Sequence, residues 1–191
     1  MITVTDAPRR SVGKVNSKPI PLETFKKKYL ERKTYKYEWK QGWVEKKDYV
    51  KPDERYIIGN IITEFNTLPD YKERNRIMAE ADCYFSTLKA YRRPDAAYLT
   101  REQIKHPDTA PEAPALVIEV SSPSNTDLTN KKKLLEYLEA GVQMVWYIYP
   151  QLKQVWIHTS PSSVTVCQEG DVCQADPAVP GLAISVEEIF T

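Results

Sequence analysis

The spacing of apolar residues divides the chain into short stretches of helical and strand-like period. Between Leu22 and Lys33 the side chains of Leu22, Phe25, Tyr29 and Leu30 fall on one side of a helix, with Lys26, Lys27 and Lys28 partly on the other. Tyr37 to Glu45 alternates as a strand pair turning near Gln41-Gly42. Pro52-Asp53 is a helix start, after which Ile57, Ile58, Ile61, Ile62 and Phe65 recur at helical spacing. Strand-like runs follow at Ala81 to Thr87, Asp95 to Thr100 and Ala115 to Val120. Ser124-Asn125-Thr126-Asp127 offers capping oxygens to a helix that runs to Ala140 and stops at Gly141. Val142 to Tyr149, Gln154 to His158 and Val164 to Gln168 have the Val, Ile, Trp and Tyr content of strands. Pro177, Pro180 and Gly181 mark a turn before the closing segment Ile184 to Phe190. Residues 1–20 lack a period and read as a flexible arm, which leaves residues 21–191 as a single mixed α/β domain.

Composition narrows the class without naming a function. With 41% hydrophobic and 28% charged residues, the chain has ordinary globular values, and no stretch approaches the apolar length of a signal peptide or a spanning helix. A soluble cytoplasmic protein is the expectation. Cys83, Cys167 and Cys173 are odd in number and show no C-x-x-C spacing, so they read as reduced structural thiols rather than a disulfide or zinc framework. The net charge of +1 conceals an asymmetry, since residues 1–60 carry 15 of the 27 Lys and Arg but 8 of the 26 Asp and Glu. A basic surface beside acidic residues suits a polyanionic substrate handled through bound cations. The plainer reading is a set of solvated faces on exposed helices.

The candidate chemistry rests on two carboxylates. Arg93-Pro94-Asp95 opens one strand and Ile118-Glu119-Val120 ends another. If the two pair antiparallel about a loop centred at Pro107, Asp95 stands opposite Glu119, because 107 is midway between them. Like charges across a strand pair, set among Val117, Ile118 and Val120, need compensation. Mg²⁺ supplies it, because it accepts one or two carboxylates and leaves its other positions to water and phosphate oxygens. The competing reading is that both acids are exposed strand ends.

Four segments in order resemble the Uma-type family of restriction-endonuclease-like proteins within the PD-(D/E)XK nuclease superfamily. They are Tyr37-Glu38-Trp39-Lys40-Gln41-Gly42, Arg93-Pro94-Asp95, Ile118-Glu119-Val120-Ser121-Ser122-Pro123-Ser124-Asn125, and Tyr137 to Val142 followed by Val145 to Pro150. The closing Val179-Pro180-Gly181-Leu182 through Ile189-Phe190 is similar too. The resemblance implies a central mixed sheet flanked by helices and a metal-dependent endonuclease acting on DNA. Asp95 and Glu119 would hold Mg²⁺, with Mn²⁺ as the alternative ion, and Glu38 would be an auxiliary carboxylate. The superfamily's lysine belongs two residues after the second acid, where this chain has Ser121. The family pattern supplies it from the next helix, at Lys133, four residues before Tyr137 and so on its face. Leu128, Leu134, Leu135 and Leu138 centre nearer Lys131, which stays open as the alternative. His106 and His158 fit no ligand spacing, and Trp146 and Trp156 read as core. A homodimer is the simplest way to cut two strands. The competing function is a catalytically silent nucleic-acid-binding or assembly protein on the same fold.

Overall fold

The computed structural model describes residues 13–32, 35–47, 52–106, 113–121 and 127–191, with no side-chain description at 52, 53 and 127–129. Residues 1–12 of the expected arm, Lys33, Pro107 and the capping segment Ser124-Asn125-Thr126 lie outside the described residues. The described residues begin with β1 (Gly13–Lys14), α1 (Leu22–Phe25) continuing as a π-helical turn at Lys26–Leu30, β2 (Lys36–Lys40), β3 (Trp43–Lys47), α2 (Pro52–Phe65) and α3 (Pro69–Lys72). There follow β4 (Arg76–Ala79), β5 (Cys83–Phe85), β6 (Ala90–Arg92), β7 (Ala96–Leu99), α4 (Arg101–Lys105) and β8 (Leu116–Val120). The last part holds α5 (Asp127–Glu139), β9 (Met144–Tyr149), β10 (Gln154–His158), β11 (Val164–Cys167), β12 (Val172–Gln174), β13 (Ala183–Ser185) and α6 (Val186–Phe190).

The central sheet is mixed and six-stranded, in the order β11-β10-β9-β8-β7-β4. β8 and β9 run parallel, which requires a crossover, and α5 is that crossover. Both strands are buried on both faces, so Leu-Val-Ile-Glu-Val and Met-Val-Trp-Tyr-Ile read as continuous apolar runs rather than alternating ones. Ile57, Ile58, Ile61 and Phe65 of α2 pack with Ile118, Val120, Trp146 and Ile148. Leu134 and Tyr137 of α5 pack with Ala97, Val117, Val145 and Tyr147. The two helices therefore flank the sheet, and Glu119, in step with Val117, is turned toward α5.

A second sheet, antiparallel in the order β1-β3-β2-β6-β5, has two unlike faces. Tyr37, Trp39, Val44 and Tyr91 pack with Phe25 and Tyr29 of the first helix. Alternation then sends Lys36, Glu38, Lys40, Glu45, Lys47 and Arg92 to the opposite face. The hairpin β2–β3 turns at Gln41-Gly42, as its alternation predicts. Gly42 has φ +93, and a Cβ there would come within 2.6 Å of the Pro19 Cβ. From Gly13 onward the expected arm is tied down, by pairing with β3 and by Val44 N donating to Asn16 Oδ1 at 2.8 Å.

Other departures are local. The run Ala81 to Thr87 is cut to β5, and the chain returns as β6 after a turn with Lys89 at φ +46. The helix expected over 22–33 changes from α to π at Lys26. Cys83, Cys167 and Cys173 are buried. Among the described residues, no helix is long and apolar enough to cross a membrane.

Candidate active site

β7 and β8 pair with Ala96 opposite Ile118 and Ala97 opposite Val117, the register centred at 107 that places Asp95 opposite Glu119. Asp95 sits just before β7, where its carbonyl accepts from Glu80 N at 2.9 Å. Its carboxylate turns back onto β8, and Oδ2 accepts from the backbone N of Val120 at 2.8 Å. Oδ1 is taken by Lys36 Nζ at 2.6 Å. Asp95 also lines a cavity of about 340 Å³ between α2 and the end of β4, with Arg55, Ile58, Gly59, Ile62, Ala79 and Glu80.

Glu119 is held from α5. Lys133 Nζ lies 2.5 Å from its Oε1, and the Tyr137 hydroxyl donates to the same oxygen at 2.6 Å. The i, i+4 spacing lets both reach one carboxylate. Lys131, the alternative, is exposed. Ser121, at the position where the superfamily has its lysine, is buried and accepts from Asn130 Nδ2 at 3.2 Å.

Glu38, between Tyr37 and Trp39 on β2, is fully buried. Its Oε2 pairs with Lys47 at 2.7 Å and Arg92 at 3.0 Å, and its Oε1 with Lys133 at 3.4 Å and the Arg93 backbone N at 3.2 Å. Glu45 stands directly across from Glu38, and Arg92 bridges both before reaching Glu136, which also holds Lys40 at 2.5 Å. The acids Glu38, Glu45, Asp95, Glu119 and Glu136 thus face an equal number of cations, Lys36, Lys40, Lys47, Arg92 and Lys133. Among the described residues, the buried Nε of Arg92 has no hydrogen-bond partner.

Burial would raise the Glu38 carboxyl, but Lys133, Lys47 and Arg92 outweigh it and hold the group well below the usual range. For Asp95 burial is likewise overcome, by Lys36, Lys133 and the Val120 amide. Burial pulls Lys47 down to about 8 against the attraction of Glu38. Burial also acts to lower Lys133, yet Glu119 and Glu38 raise it above an ordinary lysine. Burial and the nearby Glu119 raise Tyr137, which stays a phenol and a donor.

The structure therefore brings Glu38, Glu119 and Lys133 into one cluster, with Asp95 joined to it through the strand register and the field of Lys133. Among the described residues, no group of three or more His, Cys, Asp or Glu gathers to hold a metal ion. Asp95 and Glu119 are hard oxygen donors of the kind Mg²⁺ accepts, and each is held by a lysine, Lys36 and Lys133 respectively. Sequence reasoning missed Lys36, Lys47 and Arg92. The alternation in Lys36-Tyr37-Glu38-Trp39-Lys40 announces a charged face, but its partners are distant in sequence.

No curated protein matches the chain. A crystal structure described as a "putative nuclease belonging to DUF820", from Anabaena variabilis ATCC 29413, shares the fold with a TM-score of 0.73 at 22% identity. The match covers 90% of this chain and 98% of that one. A family model described as "Putative restriction endonuclease" spans residues 22–187, which take in every residue of the charged cluster. The chain belongs to this family, Uma2.

Proposed function

We propose that the protein is a metal-dependent endonuclease that hydrolyses phosphodiester bonds in DNA. The observation that carries this reading is the register placing Asp95 opposite Glu119, with the Lys133 ammonium on Glu119. Asp95 and Glu119 would hold Mg²⁺ or Mn²⁺, and such an ion, when bound, polarises a phosphate oxygen and acidifies its water. Lys133 stays protonated between Glu119 and Glu38, so it serves as a donor to charge developing on the phosphate and not as a base. Glu38 acts as a positioning residue that fixes Lys133, Lys47 and Arg92. Tyr137 orients Glu119. Cutting both strands of a duplex takes two such sites, which a homodimer would supply.

The test is cleavage of a panel of DNA and RNA substrates with Mg²⁺ or Mn²⁺. Asp95→Asn and Glu119→Gln should abolish metal binding and cleavage. Lys133→Met should bind metal yet cleave about 10²–10⁴-fold more slowly. Normal cleavage by all three variants would move the chemistry elsewhere. One observation favours the second reading, a silent nucleic-acid-binding protein: Asp95 and Glu119 each already have a lysine, so neither needs an ion for charge balance. DNA binding that persists or tightens in Asp95→Asn and Glu119→Gln, with no metal uptake by the wild type, would decide for it.

A further inference from the structure

Lys36 is only 3% exposed, and its ammonium is bonded to Asp95 Oδ1 at 2.6 Å. The other oxygen of that carboxylate is committed to the Val120 amide at 2.8 Å. Glu119 differs, because Lys133 and Tyr137 both converge on Oε1. Each oxygen of Asp95 keeps a second lone pair, but a divalent cation liganded by either would meet the buried positive charge of Lys36 on the same carboxylate. Two cations on one buried carboxylate repel strongly, because little water screens them.

From this geometry we infer that Lys36 is a resident cation which a divalent ion must displace from Asp95, and that it sets the ion affinity of the site. The inference rests on the reading of Asp95 and Glu119 as the ion-holding pair. Lys36 extends from β2, in the charged row that also carries Glu38 and Lys40 and faces Lys47 across the hairpin. Glu38 lies two residues along the same face of β2, so an ammonium leaving Asp95 would stay within the field of an acid of the cluster. Binding and displacement are then two sides of one equilibrium: whatever weakens the hold of Lys36 on Asp95 strengthens that of the metal by the same factor.

The experiment is calorimetric titration of the full chain with Mn²⁺ and Mg²⁺, comparing wild type, Lys36→Met and Lys40→Met. Lys40 is a cation of the same row, bonded to Glu136 and not to Asp95. Lys36→Met should bind at least tenfold more tightly than wild type, and Mn²⁺ should raise its melting temperature by more. Lys40→Met should change affinity less than threefold. Equal tightening in both variants would reduce the effect to net charge and overturn the assignment to Lys36. Equal affinity in wild type and Lys36→Met would overturn it while leaving the metal site standing. No uptake by either protein would sink both. Should Lys36→Met fail to fold, the wild type carries the test: the Lys36 Cε resonance must move with Mg²⁺ saturation, and a resonance that stays fixed while Mg²⁺ binds overturns the proposal.

Discussion

Glu38 shows how a buried charge differs from an exposed one. It has no solvent to fall back on, and Lys47, Arg92 and Lys133 all lean on it. Replacing it by Gln keeps the shape but leaves these cations without their common anion, a change that costs about 3–5 kcal/mol when a buried pair loses one partner. Urea unfolding of Glu38→Gln should show that loss with no metal or substrate present. A variant as stable as wild type would mean that Glu38 acts only in chemistry. At this scale the sequence is half legible. Asp95 and Glu119 can be located because their register is set by strands that are themselves apolar and obvious. Lys133 against Lys131 could not be decided from the leucine arc, because Leu135 is exposed and so does not mark the buried face. Lys36, Lys47 and Arg92, the other cations on Asp95 and Glu38, are illegible, since their partners are distant in sequence and are selected only by folding.

At the scale of elements, what is legible follows burial. The helix α2 and the strands β8, β9 and β10 announce themselves because each carries a long apolar pattern matched to one environment. The short elements β1, β4, β6, β12, α3 and α4 do not, since two to five residues give a period no room to show. Their positions are fixed by partners, as in β6, which exists because β2 and β5 lie on either side of it. Glycines separate the same two kinds of constraint. Gly42→Ala meets both a positive φ and Pro19, and should destabilise by more than about 1 kcal/mol. Gly59 sits in α2 with no atom of the described residues outside its own helix turn within 4 Å of the place a Cβ would take, so Gly59→Ala should stabilise by about 0.4–1 kcal/mol. Thermal melts of the two variants should move in opposite directions, and a fall in both would mean that Gly59 answers a demand of the cavity beside Asp95.

For the whole molecule, the cluster joins the two sheets electrostatically as well as through the core. Lys36 ties β2 to the start of β7, Lys40 and Arg92 tie the second sheet to α5, and Lys133 ties α5 to both. That union is sensitive to acid. Glu38 and Asp95 are held below the values of about 4.3 and 3.9 that they have unfolded, so their contribution is complete above those values and is lost as pH falls through the lower folded ones. The midpoint of urea unfolding should therefore fall steeply below about pH 4, and less steeply in Glu38→Gln; parallel curves would remove Glu38 from the account. The even match of acids and cations also bears on how such a protein changes over evolutionary time. A polyanion sees little net field from a balanced cluster, yet each carboxylate lost to an amide leaves the face one unit more positive. If the proposed function holds, the substitution that ends hydrolysis would be the same one that improves adhesion to a phosphate backbone, and a cutting protein on this scaffold would lie a single codon away from one that only holds on.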